Sequence, residues 1–215
     1  MDKSLVTYEP VKVASKKKAK DKTAKGVTVE SKYESRKSNG SGGADLEITV
    51  PSRFDLELKT MGGKIHLEGV EGQLHGKTMG GDLEMSVLKG KVEFSTMGGN
   101  VHLVSSQVDG RVKTMGGNVK IKDVVGDIKG SSMGGNVVYD NVQRPGKSAG
   151  SKEVEISTMG GEIHVASAPS GANLKTMGGN IRIDSAKDFV KATTMGGKIE
   201  IKELDGGVNA STMGG

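Results

Sequence analysis

The stretch "KTMGGKIHLEGVEG", residues 59–72, contains a short motif that the chain uses nine times. The motif is Thr or Ser followed by Met-Gly-Gly, and its methionines are Met61, Met79, Met97, Met115, Met133, Met159, Met177, Met195 and Met213. Seven of the eight intervals between successive methionines are 18 residues long, and one is 26 residues long. A fixed period of this kind is typical of solenoid proteins, whose repeats bury a continuous core by stacking.

The residues after each Gly-Gly alternate between apolar and polar side chains. Apolar residues stand four and six residues after each Met, as with Ile65 and Leu67, whereas positions three, five and seven are mostly polar. This two-residue period predicts a strand with one buried face. A second such strand approaches the motif, as with Leu56 and Leu58, and small residues often stand beside larger ones in it. That compensation predicts shared space in a narrow core.

Two strands and two turns cannot enclose a core alone, but identical coils stacked about 4.8 Å apart can. We therefore predict an all-β fold: a single-chain β-solenoid (β-helix) with about nine 18-residue coils and an N-terminal β-hairpin cap. A left-handed hexapeptide helix, which would suggest an acyltransferase, has the same period but needs an aliphatic residue every six positions. Here the apolar residues fall at four, six and often nine after Met, so this alternative is disfavoured.

The sequence divides into two regions. Residues 1–50 form a basic segment followed by the hairpin cap, whose strands we expect in the alternating segments 26–35 and 44–50. Residues 51–215 form the solenoid, and its one long interval predicts a loop insertion at about 141–153. The basic run at 15–25 contains no aromatic residue, so we expect a solvated segment and no nucleic-acid partner.

Composition excludes several classes of protein. The chain has no Cys, so it forms no disulfide or thiolate metal site. No apolar run approaches the length of a membrane span or of a signal-peptide core, and we expect neither. The chain stops at its ninth motif, where the pattern predicts another strand, so we expect an open C-terminal coil through which self-association could occur.

We interpret the motif as a structural corner in which Thr points inward, Met fills the bend and the glycines adopt the positive φ of a tight turn. Nine thioethers in register could instead recruit Cu(I) or another soft ligand, or form an apolar stripe for lateral association. The corner interpretation is favoured. It assigns structural roles to Thr60, Met61, Gly62, Gly63, Thr78, Met79, Gly80, Gly81, Thr96, Met97, Gly98, Gly99, Thr114, Met115, Gly116 and Gly117.

Two further columns of polar residues repeat with the motif. Asn100, Asn118 and Asn136 stand three residues after Met in adjacent repeats, and we expect a hydrogen-bonded ladder that stabilises the stack. His66, His102 and His164 belong to the column five residues after Met, in which no two histidines are adjacent. A metal or general-base site needs converging groups, so we expect a solvated face of mixed charge instead.

The segment "LEITVPSRFDLELKTMGGKIHLEGVEGQLHGKTMGGDLEM", beginning at Leu46, resembles the adhesin family of domains of unknown function, found in bacterial envelope proteins. In that family a segment like "ItVP" precedes repeats of the form T-x-x-G-[DN]-[IV]. The resemblance covers about residues 44–215. It implies a repeat β-solenoid and an adhesin-like role, with a cell-envelope or extracellular location.

The expected function is a non-catalytic, adhesin-like surface solenoid that acts as a rigid scaffold or binding module for a protein, glycan or surface matrix. The main alternative is a filament subunit that stacks through open coil ends. A polysaccharide-active β-helix enzyme is a minor alternative, disfavoured because the aspartates are scattered relative to the repeat. We expect no catalytic residue, cofactor or metal ligand.

Overall fold

The computed structural model describes residues 3–8, 27–30, 46–143 and 154–215, and contains no helix in them. The predicted basic run at 15–25 and most of the predicted loop insertion lie outside these residues. The described residues form nineteen strands: β1 Lys3–Tyr8, β2 Val27–Glu30, β3 Leu46–Pro51, β4 Leu56–Lys59, β5 Ile65–Glu68, β6 Glu71–Lys77, β7 Leu83–Ser86, β8 Lys89–Thr96, β9 Val101–Thr114, β10 Val119–Val125, β11 Ile128–Ser131, β12 Val137–Gln143, β13 Val154–Ser157, β14 Ile163–Ala168, β15 Ala172–Lys175, β16 Ile181–Lys187, β17 Val190–Thr194, β18 Ile199–Asp205 and β19 Val208–Thr212.

The strands from β4 onward pair with one another in parallel, and each strand pairs with the equivalent strand of the next repeat. Ile65 lies opposite Leu83, and Leu83 lies opposite Val101, so the register advances by one repeat per coil. The chain is therefore a β-solenoid of about eight turns, as predicted. Most coils contain two strands, and in β9 the two strands of one coil are continuous.

The inward residues form one continuous core from Val50 to Ala192. The positions four and six residues after Met are fully buried from Ile65 to Ile183, which confirms the predicted alternation. Space is shared between coils as expected: a Cβ on Gly76 would lie 2.1 Å from Cε1 of Phe94, its strand partner in the next coil. A large ring in one coil thus occupies the volume that glycine leaves in its neighbour.

The N-terminal strands cover the first coil, but their pairing differs from the predicted hairpin. β3 pairs antiparallel with β1 rather than with the segment at 26–35. β1 also pairs antiparallel with β5, and β2 pairs in parallel with β4. β2 therefore adds to the stack in the same direction as the coil strands. The sequence pattern suggested that β3 pairs with the nearest alternating segment, at 26–35. Its partner is β1, which is more distant in sequence.

The long interval is an insertion that leaves the stack intact. Across it, Gly130 of β11 still pairs in parallel with Ile156 of β13, and Val137 of β12 pairs with Ile163 of β14. β12 ends at Gln143 and β13 begins at Val154. The coils before and after the insertion therefore keep the register of the regular repeats.

The last coil is less covered than the others. Ile199, Ile201 and Leu204 occupy inward positions but are only partly buried, and the side chain of Val208 is 49% exposed. β18 pairs with β16, and β19 pairs with β17, as in the regular stack. An additional layer on this face would complete their burial.

Candidate functional site

The Thr at each corner joins two coils through one hydroxyl. Thr114 Oγ1 accepts a hydrogen bond from the N–H of Gly117 at 3.1 Å and donates one to the carbonyl of Gly99 in the preceding coil at 2.8 Å. Ser132 makes the same two bonds, at 2.9 and 2.8 Å. The corner Thr and Ser side chains are buried from Thr60 to Thr194, so the prediction that Thr points inward is confirmed.

The second Gly of each motif is required by close approach between coils. A Cβ on Gly99 would lie 2.0 Å from the carbonyl oxygen of Gly81, and a Cβ on Gly117 would lie 2.0 Å from that of Gly99. These glycines do not have positive φ, so the predicted reason for their presence was wrong. The backbones of successive coils approach too closely here to admit any side chain.

The first Gly of each motif has no such requirement. A Cβ on Gly80 or Gly98 would meet no atom closer than 3.7 Å, and neither residue has positive φ. Its N–H bonds across the stack, as from Gly98 to the Met79 carbonyl at 3.0 Å, but an alanine would keep that bond. Packing therefore does not explain why this position is glycine in every repeat.

The motif methionines point outward, and we call them the Met column. Their exposed fraction is 46–55% from Met61 to Met195 and 79% at Met213. The prediction that Met fills the bend was therefore wrong: Thr and the second Gly close the inside of the corner, which leaves no space for a third side chain. Each coil presents a Met and the first Gly at its surface, and we call these pairs the outer corner.

The asparagine ladder is present, but its hydrogen bonds join a side chain to the backbone of the next coil and do not join one side-chain amide to another. The side-chain oxygen of Asn100 accepts a hydrogen bond from the backbone N–H of Asn118 at 2.9 Å, and that of Asn118 accepts from Asn136 at 2.8 Å. The series continues beyond the long interval, where Asn136 accepts from the N–H of Glu162 at 2.8 Å. The ladder therefore ties each coil to the next beside the outer corner.

The histidine column lies on an outer face of mixed charge, as predicted. His66 Nδ1 lies 3.4 Å from Glu84, and His164 Nε2 lies 2.7 Å from Asp184. The Asp184 carboxylate also contacts Lys202 at 3.0 Å and Arg182 at 3.2 Å. The bond to His164 and then those to Lys202 and Arg182 hold the pKa of Asp184 well below its ordinary value. This cluster ties three coils together through one carboxylate.

A shallow groove of about 540 Å³ lies on another outer face and includes Asp109, Arg111, Lys129 and Glu155. Lys129 and Glu155 form an ion pair across it at 2.6 Å. Because charges of both signs line the groove and neutralise one another, it has no preference for a cationic or anionic ligand.

Within the part of the chain that the structure describes, no three His, Cys, Asp or Glu side chains converge as a metal site would need. Over the same residues, no helix has both the length and the apolar character needed to cross a bilayer. The regular feature that packing leaves unexplained is the outer corner.

The pattern did not identify a second bend eight residues after Met, where the backbone has positive φ in the five coils that follow Met61, Met79, Met97, Met115 and Met133. Non-glycine residues have positive φ there, including Asp123 at 53° and Asn141 at 52°. Asp, Asn and Gly tolerate this conformation and could have indicated the turn. The signal was masked by Val87, which has a φ of 54° although β-branched residues rarely adopt it.

No protein-family model, curated protein or solved structure matches the chain.

Proposed function

We propose that the chain is a non-catalytic binding solenoid: a rigid scaffold whose outer faces engage a protein, glycan or surface matrix through repetition. The observation that carries the proposal is the division between a filled interior and a repeated exterior. One continuous buried core and the threonine hydrogen bonds occupy the inside of the stack. The outward side chains form columns with one member per coil, so a partner with a matching period could contact many coils at once.

The adhesin-like role that the sequence resemblance implies is consistent with this architecture and belongs to the same proposal. An adhesin needs a persistent surface more than a deep pocket, because many weak contacts add up when they are held in register. The groove near Lys129 is shallow, and its charges are paired. Repeated columns therefore offer a better basis for recognition than this single concave site.

The test is binding of the purified 215-residue chain to arrays of glycans and matrix proteins, followed by the same measurement on shortened solenoids. Deleting residues 62–97 removes two whole repeats and keeps the corner sequence at the junction. If the partner contacts many coils at once, the affinity for any glycan or matrix protein that binds on the array should fall progressively as one, two and three repeats are removed. Complete loss after one particular deletion, with no effect of the others, would instead indicate a single local site.

A second candidate is the filament subunit, and the partly exposed inward residues of the last coil favour it. Ile201, Leu204 and Val208 present apolar surface and strand edges that another chain could cover. The first coil differs, because β1 and β2 already pair with β5 and β4. Head-to-tail growth would therefore have to add onto β1 and β2 or displace them.

Light scattering after size exclusion, over a hundredfold range of concentration, separates these states. A constant mass near 22.4 kDa favours the monomeric binding module. Mass that stops at twice this value indicates pairing through the last coil alone, because a two-fold contact closes on itself. Mass that continues to grow, with thin fibres in negative stain, favours the filament.

A further inference from the structure

The Met column has the same residue in every repeat, whereas the apolar positions of the core vary from coil to coil. Six residues after the motif Met, the buried side chain is Leu67, Met85, Leu103 or Ile121 in successive coils, so packing accepts several residues of similar size. At the outer corner the residue is Met in all nine repeats, although eight of these side chains are about half exposed. If apolar area alone were needed, Leu or Ile would serve equally well. The property that Met has and Leu lacks is the thioether sulfur.

The backbone holds consecutive methionines in register at the surface. The N–H of Gly116 bonds to the Met97 carbonyl at 2.9 Å, and the N–H of Gly134 bonds to the Met115 carbonyl at 2.8 Å. Parallel coils are spaced about 4.8 Å apart, so adjacent Met side chains start close together. Their flexible chains allow two sulfurs to turn toward one ion. The first Gly adds no side chain beside them, which leaves the sulfurs open to approach.

We propose that the Met column binds soft monovalent metal ions of the Cu(I) class, each ion held by thioethers from two or three consecutive coils. Thioethers are soft, neutral donors and select Cu(I) over the hard cations that carboxylates and carbonyls prefer. Each sulfur donates a lone pair to the ion and displaces a water or buffer ligand, and the oxidation state does not change. The column offers eight pairs of adjacent donors, and the period of the coil sets their spacing.

The charges near each pair of adjacent methionines determine which pair binds an ion first. Two residues before the Met stands a lysine in four repeats, at Lys59, Lys77, Lys113 and Lys175, and a positive charge there opposes binding of a cation. Before Met133 and Met159 the same position is Ser131 and Ser157. These two methionines are in adjacent coils despite the insertion, because the Gly160 N–H bonds to the Met133 carbonyl at 2.9 Å. Met195 and Met213 also follow an uncharged residue at this position, but Lys198 stands three residues after Met195, whereas the acidic Glu162 stands three residues after Met159. The first ion therefore binds between Met133 and Met159.

Two variants with equal numbers of thioethers test whether adjacency matters. The alternate variant replaces Met79, Met115, Met159 and Met195 with Leu, so that a leucine separates every remaining pair. The block variant replaces Met61, Met79, Met97 and Met115 with Leu and keeps five consecutive methionines. Both changes are nearly isosteric and lie at the surface, so both chains should fold, which circular dichroism and light scattering check.

Each chain is titrated with Ag(I), a redox-inert ion of the same class, and bound ions are counted by native mass spectrometry. We expect about four ions on the parent chain and about two on the block variant, since each ion uses at least two thioethers. The alternate variant should bind at least about tenfold more weakly than the block variant, because its sulfurs are about 10 Å apart along the stack. Equal binding by the two variants, or no binding to the parent chain, would overturn the proposal.

A second measurement uses the parent chain and does not depend on either variant. Coordination occupies the sulfur lone pair that peroxide attacks, so one equivalent of Ag(I) should slow sulfoxide formation at Met133 and Met159 before it slows oxidation elsewhere in the column. Peptide mass spectrometry after brief peroxide treatment resolves the sites. Oxidation rates that are the same with and without Ag(I) would exclude binding by the thioethers.

Discussion

The threonine hydroxyl at each corner makes two buried hydrogen bonds, one within its coil and one to the coil before it. Thr114 bonds to the Gly117 N–H and the Gly99 carbonyl in this way. Burial excludes water from this position, since Thr114 is only 3% exposed. The hydroxyl therefore satisfies two backbone groups that would otherwise be costly to bury.

Replacing Thr114 with Val removes the hydroxyl and keeps the shape of the side chain. We expect the free energy of unfolding to fall by about 2 kcal/mol or more, because a buried N–H and a buried carbonyl both lose a partner. Thr114→Ser is the control, since Ser132 makes both bonds naturally, and it should cost less than Val. Urea denaturation gives both values. An equal cost for Val and Ser would show that the hydroxyl contributes little.

Replacement of the two glycines of one corner by alanine should change the stability of the protein in opposite ways. Gly99→Ala places a Cβ 2.0 Å from the Gly81 carbonyl oxygen, and we expect destabilisation of about 3 kcal/mol or more. Gly98→Ala places its Cβ no closer than 3.7 Å to any atom, and we expect an effect between neutral and about 1 kcal/mol stabilising. Thermal unfolding of the two variants provides the comparison. Similar losses from both would contradict the close-approach explanation of the second Gly.

At the scale of the strands, each coil is complementary to its neighbours and not identical to them. Gly76 of β6 lies opposite Phe94 of β8, and a Cβ on Gly130 of β11 would lie 2.6 Å from the hydroxyl oxygen of Tyr139. Because parallel pairing holds the backbone spacing constant, a large ring can be accommodated only where a neighbouring coil supplies a small residue.

Gly76 and Phe94 should therefore be energetically coupled. We expect Gly76→Ala to destabilise the protein by about 1–3 kcal/mol through overpacking. Combined with Phe94→Leu, the same change should cost less, with a coupling energy of about 1–3 kcal/mol. Urea denaturation of the two single variants and the double variant gives this energy. Gly76→Ala with Leu174→Val, several coils away, is the control and should be additive; coupling of the same size there would rule out direct contact as the cause.

The Asp184 cluster on the outer strands should make the free energy of unfolding depend on pH. The folded pKa of Asp184 lies below its ordinary value of 3.8, so its contribution is fully present above about that pH and is lost as pH falls through the folded pKa. The parent chain should therefore lose more stability between pH 5 and pH 2 than Asp184→Asn does. Urea midpoints across this range measure the difference. Parallel curves for the two chains would exclude a stabilising role for the charge.

At the scale of the whole molecule, the methionines within the described residues divide into an exposed column and one buried residue. The column is about half exposed from Met61 to Met195, whereas Met85 is 2% exposed. The stack is built from nearest-neighbour contacts, so each coil of the column should have the same environment. The rate at which an oxidant attacks each sulfur therefore shows whether the corner side chains point outward.

Brief treatment with hydrogen peroxide should oxidise the eight motif methionines from Met61 to Met195 at similar rates, oxidise the more exposed Met213 at least as fast, and leave Met85 intact. The expected selectivity is at least about tenfold, because oxidation follows solvent access to the sulfur. Peptide mass spectrometry identifies the modified residues, and repetition in urea supplies the unfolded control, in which Met85 should react like the others. Protection of the column in the folded chain would place these side chains inside the coil.

Much of this arrangement follows from the sequence, because alternation and period are properties of the chain itself. Leu67 and Leu103 stand at even spacing after their motifs, so a strand that buries one must bury the residues in step with it. The same period places Asn100 beside Asn118 in the next coil, and the ladder follows from that stacking. The stacked β-solenoid and the inward Thr could be predicted on these grounds.

The direction of Met97, the reason for Gly99 and the partner of β3 were decided only by the tertiary structure. A residue repeated in every coil looks the same in sequence whether it fills the core or lines the surface, and Met suits both environments. What turns it outward is the space already taken by Thr96 and the Gly99 backbone inside the corner. β1 pairs with β3 across a long stretch of chain, and no local pattern encodes such a contact. Periodicity determines which residues share a column, but the volume left by neighbouring coils decides which way a side chain points.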